Sequence, residues 1–235
     1  MPQYVDATRK KPPRLRIVPE KEEVMSTNEM IHNSSIGHSI TKSSFEEITT
    51  YYDTVFNMDK STYVSSNDEP TPMNCVKELI DTIPTEFWKT PNLQILDPCC
   101  GNGNFGVHLY HKLVPHHSTQ SILENILEFN DINVQRLDNV RKIFDVEKYQ
   151  LQITQQDFLN TEHNKTYDLI VANPPYAKLL ENGKRASKNH NLIKDFIKRS
   201  LELLKPNGYL LFITPDNWMS YADRNELIKI LTQLQ

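Results

Sequence analysis

The chain of 235 residues holds six glycines, and three of them, Gly101, Gly103 and Gly106, fall within one stretch of six residues. They follow the short apolar run Leu93-Gln-Ile-Leu-Asp97 and open a segment of helical spacing from about Asn104 to Lys112. A strand, a glycine turn and a helix in that order leave few architectures. Glycine lets the backbone turn sharply and approach a ligand closely, and this placement is that of the first turn in a ligand-binding α/β sheet.

The rest of the pattern extends the same unit. Spacing predicts strands at 93–97, 125–131, 150–154, 167–172 and 209–214, with helices at 73–83, 104–112, 134–144, 189–204 and 224–234. Thr71-Pro72 stands where a helix would start, and Pro206-Asn207-Gly208 where the long amphipathic helix would stop. Strands alternating with helices imply a parallel sheet with right-handed crossovers. The apolar Tyr209-Leu-Leu-Phe-Ile-Thr214 is expected from its composition to be buried on both faces, yet with no further strand beside it, it would be an apolar edge strand.

Gly101-x-Gly103-x-x-Gly106 matches the spacing of a dinucleotide loop. Asp97, directly before that loop, argues against an anionic group there and suits the cationic amino end of S-adenosylmethionine. Asp131 ends the second strand, where a carboxylate could hold ribose hydroxyls. Asp157 follows the third strand and could accept from an adenine amino group, with Phe158 beside it to stack on the ring. One such Asp is ordinarily a cap or turn residue; three at successive strand ends point to a shared ligand. Cys99 follows a proline but lies in the glycine loop beside the cofactor, so it reads as a small packed thiol. No metal site is expected.

After the fourth strand, Asp168–Ala172, comes Asn173-Pro174-Pro175-Tyr176. The prolines fix φ and offer no N–H donors. What remains is a stiff turn that presents two acceptors, the Asn173 side-chain oxygen and the Pro174 carbonyl. An exocyclic –NH2 has two hydrogens to match them, and holding it so would favour a pyramidal nitrogen attacking a sulfonium methyl in line. Tyr176 could stack on a planar target.

From about Ser65 to the end, the sequence resembles the adenine-N6 DNA methyltransferases of restriction–modification type, in a gamma-like motif order. Asp-Pro-x-x-Gly-x-Gly-x-Phe stands at 97–105 and Asn-Pro-Pro-Tyr at 173–176. The resemblance implies a Rossmann-like methyltransferase fold and S-adenosylmethionine held by Thr71, Asp97, Cys99, Gly101, Gly103, Phe105, Asp131, Ile132, Asp157 and Phe158. It further implies a duplex DNA partner whose adenine is flipped onto Asn173, Pro174, Pro175 and Tyr176, with Phe196 lining the base pocket.

The same resemblance implies two further strands and a target-recognition domain. The sequence stops about twenty residues past Thr214. The expectation is therefore a catalytic domain over 45–235, truncated after the fifth strand, with a protein partner or separate subunit supplying target recognition. Two other readings stand beside it. A protein glutamine amide or an RNA adenine also offers –NH2 on a planar group, and a cofactor-binding remnant would need no target. A net charge of -4 lends no support to a long grip on DNA. Three cysteines, two of them adjacent, fit a reducing compartment. With neither a secretory signal nor a membrane span, a cytoplasmic location is expected. Residues 1–44 read as a disordered polar tail. Its basic run Thr8–Arg16 is either a nucleic-acid contact or localisation signal, or simply a solvated tail. The basic loop 178–191 is expected either to touch phosphates or simply to be a mobile loop.

Overall fold

The computed structural model describes residues 38–59, 61, 69–176, 192–214 and 224–232. The basic run Thr8–Arg16 and the loop 178–191 lie outside the described residues.

Packed chain begins before residue 45. Ile40 is buried, and its N–H donates to the Ile143 carbonyl at 2.8 Å. Ser44 then caps helix α1 (Phe45–Tyr51) through a reciprocal box. The Ser44 side chain accepts from the Glu47 N–H, and the Glu47 carboxylate accepts from the Ser44 N–H. The helix widens into a π-turn over Tyr52–Phe56.

Helix α2 (Met73–Ile80) starts behind Pro72 as expected and ends three residues short of Ile83. Strand β1 (Ile95–Asp97) is buried throughout and runs through the glycine turn into α3 (Asn104–Leu113). An irregular helical stretch over 119–126 leads into β2 (Leu127–Asn130). Asn133 caps α4 (Val134–Ile143), its side chain accepting from the Gln135 and Arg136 N–H groups. Strands β3 (Gln152–Thr154) and β4 (Tyr167–Ala172) follow, then α5 (Leu192–Leu203), β5 (Leu204–Phe212) and α6 (Arg224–Thr232).

The five strands form one parallel sheet in the order β3-β2-β1-β4-β5. Ile95, Leu169 and Val171 face one core, with Leu127, Phe129 and the residues of α3 and α4. Leu96 and Ile170 face the other, with Phe158, Phe196 and Leu203. This is the period-two alternation of a sheet covered on both sides. Gly106 sets how closely α3 sits on it, since a Cβ there would stand 2.5 Å from Phe129 Cε1 and 2.8 Å from Phe144 Cζ.

Strand β5 corrects the sequence reading. Leu204 pairs with Tyr167, the chain turns through Asn207 at φ 63°, and regular pairing resumes at Tyr209 opposite Leu169. Leu210, Leu211 and Phe212 are half-buried and Tyr209 is exposed, because β5 is the sheet edge among the described residues. Tyr209 is covered in part by Phe87, whose ring meets it edge-on at 5.3 Å.

Candidate active site

The strand order reverses between β1 and β4, because β2 and β3 lie on one side of β1 while β4 and β5 lie on the other. At such a switch point the loops leaving the strands diverge and open a crevice. Here that crevice is a cavity of about 470 Å³ walled by the turn after β1, the ends of β2 and β3, Asn173–Tyr176 and the start of α5. A smaller cavity of about 60 Å³ adjoins it, between Pro70, Thr71 and the glycine turn. Glu69, Cys99, Arg136 and Asn173 line both.

The glycine turn is built to face this space. Gly101 and Gly103 take φ of 54° and 87°, in the left-handed region that favours glycine. A Cβ at Gly101 would meet nothing within 4 Å, so its conformation and not its packing calls for glycine. The loop is pinned from three sides. Its Cys100 N–H donates to the Asn130 carbonyl at 2.9 Å, its Gly101 N–H to Asp131 Oδ2 at 2.8 Å, and the fully buried Tyr52 hydroxyl to the Asn102 carbonyl at 2.8 Å.

Asp97 lies behind the wall and not on it. It is 2% exposed; Oδ1 accepts a long 3.4 Å bond from the Cys99 N–H, and Oδ2 has no partner. Burial, with Asp131 nearby adding to it, holds its carboxyl well above the usual carboxylate range. Burial and the same two acids push the Cys99 and Cys100 thiols up as well, so neither is primed as a thiolate nucleophile. Asp131 is buried, and its carboxylate accepts from the Gly101 and Asn133 N–H groups.

Asn173 stands where both cavities meet. Its Nδ2 donates to Thr71 Oγ1 at 3.1 Å, and its Oδ1 accepts from the Tyr176 hydroxyl at 2.7 Å. Pro174, Pro175 and Tyr176 line the larger cavity beside it, as do Asp157, Phe158 and Phe196. Phe158 and Phe196 are buried with ring centroids 5.4 Å apart, in the smaller core on that face of the sheet. The Asp157 carboxylate also holds a turn, accepting from the Leu159 N–H and the Asn160 amide. Phe105 is buried in the main core and reaches the smaller cavity. Ile132 is 70% exposed at the larger one, an apolar side chain with no cover of its own.

Four participants escaped the sequence reading. Arg136 and Glu69 line both cavities, yet one is an ordinary charged position on a helix and the other precedes Pro70 in an irregular stretch. Tyr52 and Asn104 act from behind; the Asn104 Nδ2 donates to the Thr71 carbonyl at 2.7 Å and to Asn57 Oδ1 at 3.1 Å. Asn104 was within reach, since it opens the helix straight after the glycine turn.

The family model described as Eco57I restriction-modification methylase matches residues 105–234. The type II methyltransferase M.HincII of Haemophilus influenzae is 27% identical over 188 residues, 74% of this chain and 32% of that protein. The type II methyltransferase M.VspI of a Vibrio species is 24% identical over 178 residues, 68% of this chain and 39% of that protein. The chain thus spans about a third of the length of these relatives. Among solved structures, one described as a class I S-adenosylmethionine-dependent methyltransferase, from Listeria monocytogenes, superposes with a TM-score of 0.63 at 18% identity, covering 87% of this chain and 64% of its own. That likeness establishes the methyltransferase fold for the five-stranded sheet. No helix among the described residues is long and apolar enough to cross a membrane.

Proposed function

Because this chain belongs to the Eco57I restriction-modification methylase family, we propose that it transfers a methyl group from S-adenosylmethionine to the N6 amino group of an adenine turned out of duplex DNA. One observation carries the reading: a side-chain amide, Asn173, at the junction of the two cavities, followed by two prolines. When bound, S-adenosylmethionine supplies an electrophilic methyl group on a sulfonium.

The residues present fit that cofactor. Asp97 lines neither cavity, but its buried oxygen without a partner lies directly behind the glycine turn, and an ammonium group admitted there by a shift of that turn would pair with its charged form. Arg136 offers a cation for the carboxylate of the same amino-acid end. The Asp131 carboxylate stands at the end of β2 on the larger cavity, where ribose hydroxyls would meet it, and Ile132 offers an apolar surface for the adenine ring. Asp157 and Phe158 complete the far wall.

The target side needs acceptors. Asn173 Oδ1 and the Pro174 carbonyl would take the two amino hydrogens, orient the nitrogen lone pair and ease its pyramidal shape. The incoming amino group takes the place of the Tyr176 hydroxyl on Oδ1, which frees the ring to stack on the base. Phe196 lines the same space. Extruding the base costs a few kcal/mol, offset by stacking and by these hydrogen bonds. Sequence reading along the duplex is proposed to come from a segment or subunit beyond this sheet, consistent with a net charge of -4.

The test is methyl transfer from tritiated S-adenosylmethionine to duplex DNA, tRNA and protein, followed by nucleoside and amino-acid analysis. Label is expected in N6-methyladenine of DNA. Asn173→Ala should lower transfer by about 100-fold or more while cofactor affinity stays within a few-fold. Label in RNA or in a glutamine amide would move the target class. Cofactor binding without transfer to any of the three would sink the enzymatic reading.

A further inference from the structure

We infer that Thr71 is a positioning residue for the transfer reaction: its hydroxyl anchors the Asn173 side-chain amide where that amide meets the target. The inference rests on the proposed amino-group chemistry and deepens it.

An asparagine amide has two ends of nearly equal size and opposite hydrogen-bonding sense. Half a turn about its terminal torsion replaces an acceptor with a donor, and that torsion is broad and soft. A target –NH2 needs the acceptor; the wrong end would set donor against donor. The rest of the local geometry is stiff. Asn173 and Thr71 each precede a proline, Pro174 and Pro72, which keeps both backbones extended. Thr71 is β-branched and 7% exposed, so its rotamer is restricted too. Its carbonyl is held at 2.7 Å by the buried Asn104 amide, whose nitrogen also bonds Asn57. The one soft element in this frame is the Asn173 amide. Thr71 Oγ1 receives its Nδ2 at 3.1 Å, which leaves Oδ1 for the Tyr176 hydroxyl. When an amino group displaces that hydroxyl it selects Oδ1 by itself, and the Thr71 bond remains as the anchor of the amide's other end.

Valine keeps the shape of Thr71 and removes the acceptor. In 15N-labelled full-length protein, Thr71→Val should speed exchange of the Asn173 side-chain amide protons by about tenfold or more, with Asn104 unchanged. Transfer to DNA should fall by about tenfold to 100-fold in kcat, with the affinity for S-adenosylmethionine within about twofold by calorimetry. Thr71→Ser should restore both readouts. Should the valine variant not fold, Thr71→Ala removes the same hydroxyl without the branched bulk. Unchanged exchange at Asn173 overturns the inference, as does a serine variant as impaired as the valine one. A loss of cofactor affinity that accounts for the lost transfer would make Thr71 a cofactor contact instead. If the unmodified protein transfers nothing to DNA, the adenine reading fails by itself, and the exchange measurement still decides the Thr71–Asn173 link.

Discussion

A carboxyl group that is taken out of water with one oxygen unpartnered resists ionising, and Asp97 is in that position. Its folded pKa lies above the unfolded value of 3.8, so the native state holds the proton more tightly than the unfolded chain. Stability therefore falls as pH rises from the unfolded value through the folded one, and at neutral pH the side chain costs stability. An ammonium ligand reverses the preference by pairing with the charged form. Asp97→Asn should accordingly raise the thermal midpoint at neutral pH and weaken S-adenosylmethionine binding by about tenfold or more. Thermal unfolding and titration calorimetry at neutral pH check the two effects. A destabilised variant with intact affinity would mean that Asp97 only shapes the turn. Asp97 and Asn173 were legible in the sequence because each stands at a strand end next to residues of restricted backbone, glycine in one case and proline in the other. Arg136 was not legible, since nothing local separates a helix residue that faces a cavity from one that faces solvent.

The elements that support the site are less visible than those that carry it. Helix α1 begins with Ser44-x-x-Glu47, a capping box readable in the sequence, but the tail boundary after residue 44 cuts through it and the sequence reading places no helix there. Its contribution comes one turn later, where Tyr52 is fully buried and its hydroxyl reaches across to the carbonyl of Asn102. A contact spanning fifty residues has no periodic signature, whereas β1 and β4 announce themselves as apolar runs. Tyr52→Phe keeps the packing and removes the tether from one side of the glycine turn. The expected cost is about 1 kcal/mol of stability, with a several-fold loss of S-adenosylmethionine affinity because the loop is less preorganised. Thermal unfolding and calorimetry on the same sample separate the two. Equal affinities would show that the Asp131 and Asn130 contacts hold the loop without Tyr52. For β5 the edge position was readable, but burial on both faces was not borne out: composition reports how apolar a strand is and not how many neighbours it has, and β5 has β4 alone among the described residues.

At the scale of the whole molecule, the parallel order β3-β2-β1-β4-β5 brings the glycine turn and Asn173 to one edge, although they lie some seventy residues apart. Alternation of strands and helices made that juxtaposition readable; of the layer that clamps it, α2 showed in the pattern and α1 did not. Helices α1 and α2 lie against α3, and His108 of α3 is enclosed among them at 4% exposure, with Nε2 unpartnered and the Phe45 ring edge-on at 4.9 Å. Burial lowers its pKa from 6.5 to about 4; His111 and Lys77 act in the same direction, and a backbone bond at Met73 and the Asp81 charge oppose them. The unfolded chain therefore binds a proton between these values and the native protein does not, so stability is complete above the unfolded pKa and is lost as pH falls towards the folded one. The loss should be on the order of 2 kcal/mol, allowing for partial solvent screening. A domain of this size would show it as a fall of about 4–8 °C in midpoint between pH 6.5 and 4, beyond the decline due to carboxylates. His108→Gln, which cannot take up the proton, should flatten that part of the profile while leaving the neutral-pH midpoint within a few degrees. Parallel profiles for the two proteins would show that His108 is not buried neutral, and that α1 and α2 do not close over α3 in solution as they do here.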